Sequence, residues 1–248
     1  MEYNIGIASY KRAESQHTLG YLESIGIPKS KIYMAVQTED DFASYVEAGI
    51  GDRVSKIIFK PQTSASGNRN TLITETDPKT PIILIDDDVK EIGILKNKKL
   101  EKVSTKDEFD NMVETGIKLC KKHNTVGFGL YPVYNAYFMS NKYTKANICD
   151  AGLFGLLSHE YLFNEALRTK EDYELCCRII KRFGAFVRMN NYAVKTPTGH
   201  SKGGCKEAWN DKEDVVKTAR TLVRVYPDIL KLNPKKQGEV MMRGAKEK

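Results

Sequence analysis

No apolar run in this chain approaches the roughly 20 residues that a membrane-spanning helix needs. The opening residues, Met1 to Tyr10, lack the basic stretch and apolar core of a secretory leader, so the expected location is the cytoplasm, with no membrane partner. Cysteine is scarce and ill-spaced for metal. Cys120, Cys149, Cys176, Cys177 and Cys205 form no C-x-x-C pair, which speaks against zinc and for buried or idle thiols in a reducing compartment. Histidine is limited to His17, His123, His159 and His200, of which the first three follow helical patterns or strand ends and read as structural. There is no internal repeat.

What remains is an ordinary globular composition. The 248 residues are 41% hydrophobic and 29% charged, enough apolar material for one full α/β core. The formal charge is +7. A polyanionic partner suits that excess, although charge alone does not select nucleic acid over other polyanions.

One stretch organises the rest. Ile82, Ile83, Leu84 and Ile85 run directly into Asp86, Asp87 and Asp88. The apolar run predicts a buried central strand of a parallel sheet, and the acids then sit at its carboxyl end, where open α/β sheets place their ligands. Side chains alternate along an extended segment, which sends Asp86 and Asp88 one way and Asp87 the other. Three adjacent acids repel, and a divalent cation with hard oxygen ligands is the simplest relief. The plainer alternative is an acidic junction between strand and loop.

Before that junction, strands are expected at 4–8, 32–36 and 54–59, with helices between them. A further helix opens around Ser66 to Asn70 and carries the chain to Pro78. This alternation predicts a parallel, nucleotide-binding half. Beyond it, 96–102 reads as a lysine-rich connector, and Phe109, Met112, Val113, Ile117 and Cys120 mark an amphipathic helix. Strands are expected at 126–131, 134–140, 148–157 and 185–189, with Gly152 and Gly155 permitting close backbone or ligand approach. Glu171 and Asp172 open a helix, another spans about 212–226, and the chain from Lys235 on reads as a flexible basic tail.

Five features now stand in a telling order. Ser9-Tyr10-Lys11-Arg12 follows the first strand, Asn68-Arg69-Asn70 precedes the central one, and the three aspartates follow it. Glu171-Asp172 then opens a late helix, and His200 lies in a late glycine loop. Together these resemble the GT-A nucleotide-sugar glycosyltransferases over about residues 3–205. More narrowly, Ser9 to Glu14 with Thr18-Leu19, paired with Ile85 to Val89, resembles the TET-associated glycosyltransferases, a group predicted to modify oxidised bases in phage DNA. The resemblance implies a single GT-A-like α/β domain over 1–234, followed by the tail at 235–248. Within it, a mainly parallel Rossmann-like nucleotide-binding sheet (1–95) would join a smaller mixed acceptor-side sheet (96–234).

The resemblance also implies roles. Asp88 would ligate Mn²⁺ or Mg²⁺, with His200 as second ligand, and Asp86 would reach the cation through water or bond the ribose. Asp87 would orient donor-sugar hydroxyls or cap the next turn. Arg69 would pair with the donor diphosphate, and Ser9, Tyr10, Arg12, Gln37 and Glu39 would surround the base and ribose of a UDP-sugar. Asp172 would be the base that takes the acceptor proton, implying inversion, with Glu171 beside it. Read from local sequence alone, His200 and Arg12 are equally surface residues, Arg69 an exposed helix arginine, and Glu171-Asp172 an acidic first turn.

For the acceptor, Tyr131, Tyr134, Tyr137, Phe138 and Trp209 stand among Lys195, Lys202 and Lys206. Aromatics beside lysines can stack an extruded base while the cations hold phosphates, although aromatics in strands are commonly core. A hydroxylated base such as 5-hydroxymethylcytosine in DNA is the expected acceptor. The alternatives are a transferase acting on a glycan or surface polymer, a nucleotidyltransferase and a non-catalytic DNA-binding module. A nucleotidyltransferase would want a glycine-rich loop after the first strand, and Ser9 to Arg12 contains no glycine. A plain DNA-binding module leaves the acidic junction unexplained.

Overall fold

A computed structural model describes residues 2–62, 64–150, 152–197 and 211–243. In chain order the elements begin β1 (Asn4–Ala8), α1 (His17–Ser24), β2 (Ile32–Val36), α2 (Glu39–Glu47), β3 (Lys56–Phe59), α3 (Ala65–Glu75) and β4 (Ile82–Asp86). There follow β5 (Glu91–Lys96), β6 (Lys99–Lys102), α4 (Lys106–Lys122), β7 (Gly127–Tyr131), β8 (Tyr143–Thr144) and β9 (Leu153–Leu156). The chain continues through α5 (Glu171–Phe183), β10 (Val187–Lys195), α6 (Lys212–Val225), β11 (Leu230–Leu232) and β12 (Val240–Met242).

One sheet carries the fold, in the order β3-β2-β1-β4-β9-β7-β10-β5-β6, with β8 paired to β10. The first four strands are parallel, as their alternation with helices predicts. Beyond β4 the pairing is mixed, because β9 runs antiparallel to both β4 and β7 while β10 runs parallel to β7. The later strands therefore extend the parallel sheet. Alternation along β4 splits its side chains between two cores. Ile83 and Ile85 pack with Leu19, Leu22, Tyr45 and the apolar stripe of α4, whereas Ile82 and Leu84 pack with Leu72 and Ile73 of α3 and Leu175 and Ile179 of α5. Cys120, Cys149, Cys176 and Cys177 are buried free thiols within these layers, and Cys205 lies outside the described residues.

Three expectations need correction. The lysine-rich stretch 96–102 is the turn and second strand of a hairpin, β5 with β6, turning through Asn97 and Lys98 at φ +49° and +61°. Two consecutive left-handed residues are what a two-residue hairpin turn requires, and lysines on an outer strand keep its open edge from pairing. Residues 134–140 form turns, with Phe138 N–H bonded to Asn135 C=O at 3.1 Å, and no strand. The tail expected from Lys235 is in part structured. β12 pairs with β11, and buried Val240 packs with Leu222, Tyr226 and Leu230, so this hairpin covers the outer face of α5. Residues 244–248 lie outside the described set.

The glycine-interrupted strand is shorter than expected. At Gly155 a side chain would run into the Phe128 ring on neighbouring β7, so this glycine admits a core aromatic and not a ligand.

Candidate active site

The carboxyl ends of β1, β2, β4 and β7 and the amino end of β9 open on one edge of the sheet, because β9 is the antiparallel strand among them. The amino ends of α3 and α5 lie at that edge too, each helix running back along a strand. Strand β4 ends at Asp86, and Asp87 and Asp88 turn over the edge.

The three acids go to different partners. Asp86 is 35% exposed at its side chain, and its Oδ1 accepts a bond from Arg69 Nη2 at 2.7 Å. Asp87 turns inward and is buried, accepting from Ser9 Oγ at 2.6 Å and pairing with Arg12. Asp88 lies 3.2 Å from the same Arg12 guanidinium, so one cation serves both. Burial pushes the Asp87 carboxyl up to about 6, against the pull of Arg12 and Ser9. Asp88 is raised too, first by desolvation and then by Asp86. That repulsion leaves Asp86 and Asp88 as hard oxygen donors whose charge a further cation would relieve, the chemistry Mg²⁺ and Mn²⁺ use when substrate phosphates complete the shell. Among the described residues no three such groups form a ready-made cage. His200 lies outside the described residues.

Arg69 links the two halves. It sits one turn into α3, whose start is capped by Ser64 Oγ accepting from Gly67 N–H at 3.0 Å. Its side chain is 7% exposed and forks between Asp86 and Glu171 Oε1, the latter at 2.6 Å. Glu171 is the first residue of α5, and Asp172 follows it. Asp172 accepts from the N–H of Tyr173 at 2.7 Å, and its carboxyl is raised well above the ordinary range by burial, then by Glu171 and Asp150. Asp150, just ahead of β9, is itself pushed up to about 6 by burial and by Asp86. Sequence reasoning passed over Asp150. It stands two residues before Gly152, and only the fold brings it toward Asp86.

The first-strand residues divide. Ser9 is buried and spends its hydroxyl on Asp87, Tyr45 and Gln16, so it fixes Asp87 and does not face a cleft. Gln37 is buried at the end of β2. Tyr10 and Arg12 line a cleft of about 990 Å³ between the β1–α1 loop and α2, which Asp88 also borders. Glu39 is exposed on the first turn of α2 and does not line it, whereas Asp40 and Asp41 do. Asp41 is 6% exposed, takes the N–H of Lys11 on one oxygen at 3.2 Å, and has no partner among the described residues on the other. Thr38 with Asp41 three residues on looks in sequence like simple capping, which hides it. Thr38 Oγ1 does accept the Asp41 N–H at 3.0 Å, but the carboxylate turns to Lys11 instead.

On the other side of the edge, Tyr134 packs over Gly93, donates to Glu91 at 2.7 Å and lies under the Lys195 ammonium. Tyr131 is covered by the Arg188 guanidinium, 5.1 Å from its ring centre. Tyr137 and Phe138 are 86% and 52% exposed, their rings edge to face at 5.0 Å, and so are not core. Lys202, Lys206 and Trp209 lie outside the described residues.

No family model matches the chain, and no curated protein matches its sequence. Solved structures do match. TarS of S. aureus in complex with UDP-GlcNAc aligns with a TM-score of 0.60 at 11% identity, over 90% of this chain and 66% of that one. The mannosyltransferase PcManGT of Pyrobaculum calidifontis, in complex with GDP-Man and Mn²⁺, aligns at 0.53 and 12% identity, over 90% and 64%. Glucosyl-3-phosphoglycerate synthase of Mycobacterium tuberculosis with Mn²⁺, UDP-glucose and phosphoglyceric acid aligns at 0.51 and 10%, over 94% and 84%. The fold is GT-A. At these identities the likeness is one of fold, and this chain spans just under two-thirds of the TarS and PcManGT chains. No helix among the described residues is long and apolar enough to cross a membrane.

Proposed function

We propose that this chain is a metal-dependent glycosyltransferase, moving a sugar from a UDP-linked donor to a hydroxyl group with inversion. The observation that carries it is the Arg69 fork. One buried guanidinium ties Asp86, at the end of the central strand, to Glu171, beside Asp172 at the start of α5. Acids suited to a cation and an acid suited to proton abstraction thus share one edge of a fold otherwise seen holding UDP-GlcNAc or GDP-Man with Mn²⁺.

The chain's own groups supply most of the chemistry. Tyr10, Arg12 and Asp41 line the cleft that would take base and ribose. Asp88 and Asp86 would hold the cation, with His200 as the further proposed ligand. When bound, Mn²⁺ or Mg²⁺ supplies Lewis-acid stabilisation of the charge that builds on the departing diphosphate. The Asp172 carboxylate takes the proton from the acceptor hydroxyl as its oxygen bonds to the anomeric carbon and the bond to the diphosphate breaks. Glu171, held by Arg69, stands beside Asp172 and raises its carboxyl, which makes Asp172 the stronger base.

For the acceptor we propose a hydroxylated base such as 5-hydroxymethylcytosine in phage DNA. The exposed Tyr137 and Phe138 and the Lys195 beside Tyr134 support it, since base stacking needs open rings near cations. The test is incubation with mixed UDP-sugars, Mn²⁺ and duplex DNA containing hydroxymethylcytosine, followed by mass spectrometry of the digested nucleosides. A hexose or pentose increment that EDTA abolishes is expected. Metal-dependent release of UDP without an increment would keep the transferase and remove the DNA acceptor. Absence of both would remove the donor.

A further inference from the structure

A second concavity lies away from the acidic edge. It runs along the outer face of α6 against the turn between β11 and β12, with a volume of about 600 Å³. Gly238, at φ +77°, lets that turn close on the helix, since a side chain there would meet Val215 at 2.9 Å. Four cations line the groove, Lys212, Lys217, Arg220 and Arg224, against the single acid Glu213. The inward face of α6 is taken up by Val215, Ala219 and Leu222, which leaves the basic row outward.

Among the described residues none of these four cations forms an ion pair, although Arg168, Lys170, Arg178 and Lys195 nearby or elsewhere do. Helical rise places Lys217 and Arg224 about 10 Å apart along the axis with Arg220 between them. The row thus presents three cations on one face within two helical turns, which suits the closely spaced charges of a nucleic-acid backbone. The hairpin links the groove to the site. Gln237 lines it, and two residues on Glu239 pairs at 3.3 Å with Lys170, the neighbour of Glu171.

We propose that this groove holds the phosphate backbone of DNA, so that α6 and the C-terminal hairpin form a docking surface separate from the reacting centre. The proposal deepens the DNA-acceptor reading above, but the groove can be tested without any transfer. An anionic membrane fits it less well, because Val216 is the only apolar residue in the lining and offers little to insert.

The test is fluorescence anisotropy with a labelled 20-base-pair duplex, across a range of salt concentrations, for the wild-type chain and for Lys217→Glu/Arg220→Glu/Arg224→Glu. Thermal melting checks that the variant folds, and Arg220→Lys/Arg224→Lys serves as the charge-preserving control. The expected result is at least tenfold weaker DNA binding for the reversed variant and a log–log salt slope shallower by about 3, with the lysine control close to wild type. Equal affinity and slope for wild type and the reversed variant would overturn the proposal. So would wild-type binding to phosphatidylglycerol vesicles with none to DNA. Metal-dependent UDP release is measured alongside. If it is absent while DNA binding still depends on the three cations, the groove stands and the transferase falls.

Discussion

A carboxylate that is to remove a proton from an alcohol gains from being poorly solvated, and Asp172 is held in that condition by burial and by two acidic neighbours. Asp172→Asn should therefore leave donor affinity near wild type by calorimetry while transfer falls by about 10²- to 10⁴-fold. Lost donor binding with transfer otherwise intact would argue against a base. The same environment fixes a pH dependence. As the proposed base Asp172 works as the carboxylate, so transfer should be lost as pH falls through its raised value, with Glu171 and Asp150 raising that value and Arg69 lowering it. Asp150→Asn removes one repelling charge and should move the acid limb of the rate profile to lower pH. Its effect on stability has the opposite sign. Asp150 has its folded value raised to about 6, so its favourable contribution is complete below the usual carboxylate range near 4 and lost as pH rises through about 6. Asp150→Asn should thus melt higher than wild type at pH 8 and no higher at pH 4. Of these residues, the place of Asp172 at a helix start was legible because a Glu-Asp pair opens an amphipathic run. Asp150 was not, because nothing local distinguishes an acid facing Asp86 across a sheet edge from one in water.

At the scale of elements, what could be read was what burial writes into composition. The run Ile82 to Ile85 gave the central strand because both faces of β4 are covered, and the stripe from Phe109 to Cys120 gave α4 because one face is. The β5–β6 hairpin was illegible for the converse reason: β6 carries Lys99, Glu101 and Lys102 on an open edge, and its turn is Asn97-Lys98, without the glycine that usually announces such a turn. Packing across elements was equally silent. Gly155 reads as a flexible break in a strand, yet its missing side chain is the space filled by Phe128. Gly155→Ala should destabilise the chain by about 1–3 kcal/mol in urea unfolding, the usual penalty for overfilling a packed core. Adding Phe128→Leu should recover part of that loss, since the two changes share one volume and will not add. Independent, additive losses would mean that the backbone at Gly155 matters and the aromatic does not.

For the whole molecule, the question is why a C-terminal hairpin should bear on a site built from strands far earlier in the chain. Lys170 supplies the link. Its side chain is 1% exposed, its backbone is left-handed at φ +60°, and its ammonium pairs with Glu239 of the hairpin turn. The residue thus joins the start of α5, where Glu171 and Asp172 lie, to a segment whose own core includes Cys177 of α5 and Leu222 of α6. Two physical effects are combined in it, and two substitutions separate them. Lys170→Gly removes the ammonium but accepts positive φ without strain, whereas Lys170→Met keeps the bulk and the strain but loses the charge. If the ammonium positions the acids of α5, both variants should lose transfer several-fold while donor affinity stays close to wild type, and Glu239→Gln should show a weaker form of the same loss. If only the backbone turn matters, Lys170→Gly should match wild type and melt no lower. A loss of donor affinity in step with transfer would mean that the hairpin steadies the fold as a whole and not the base.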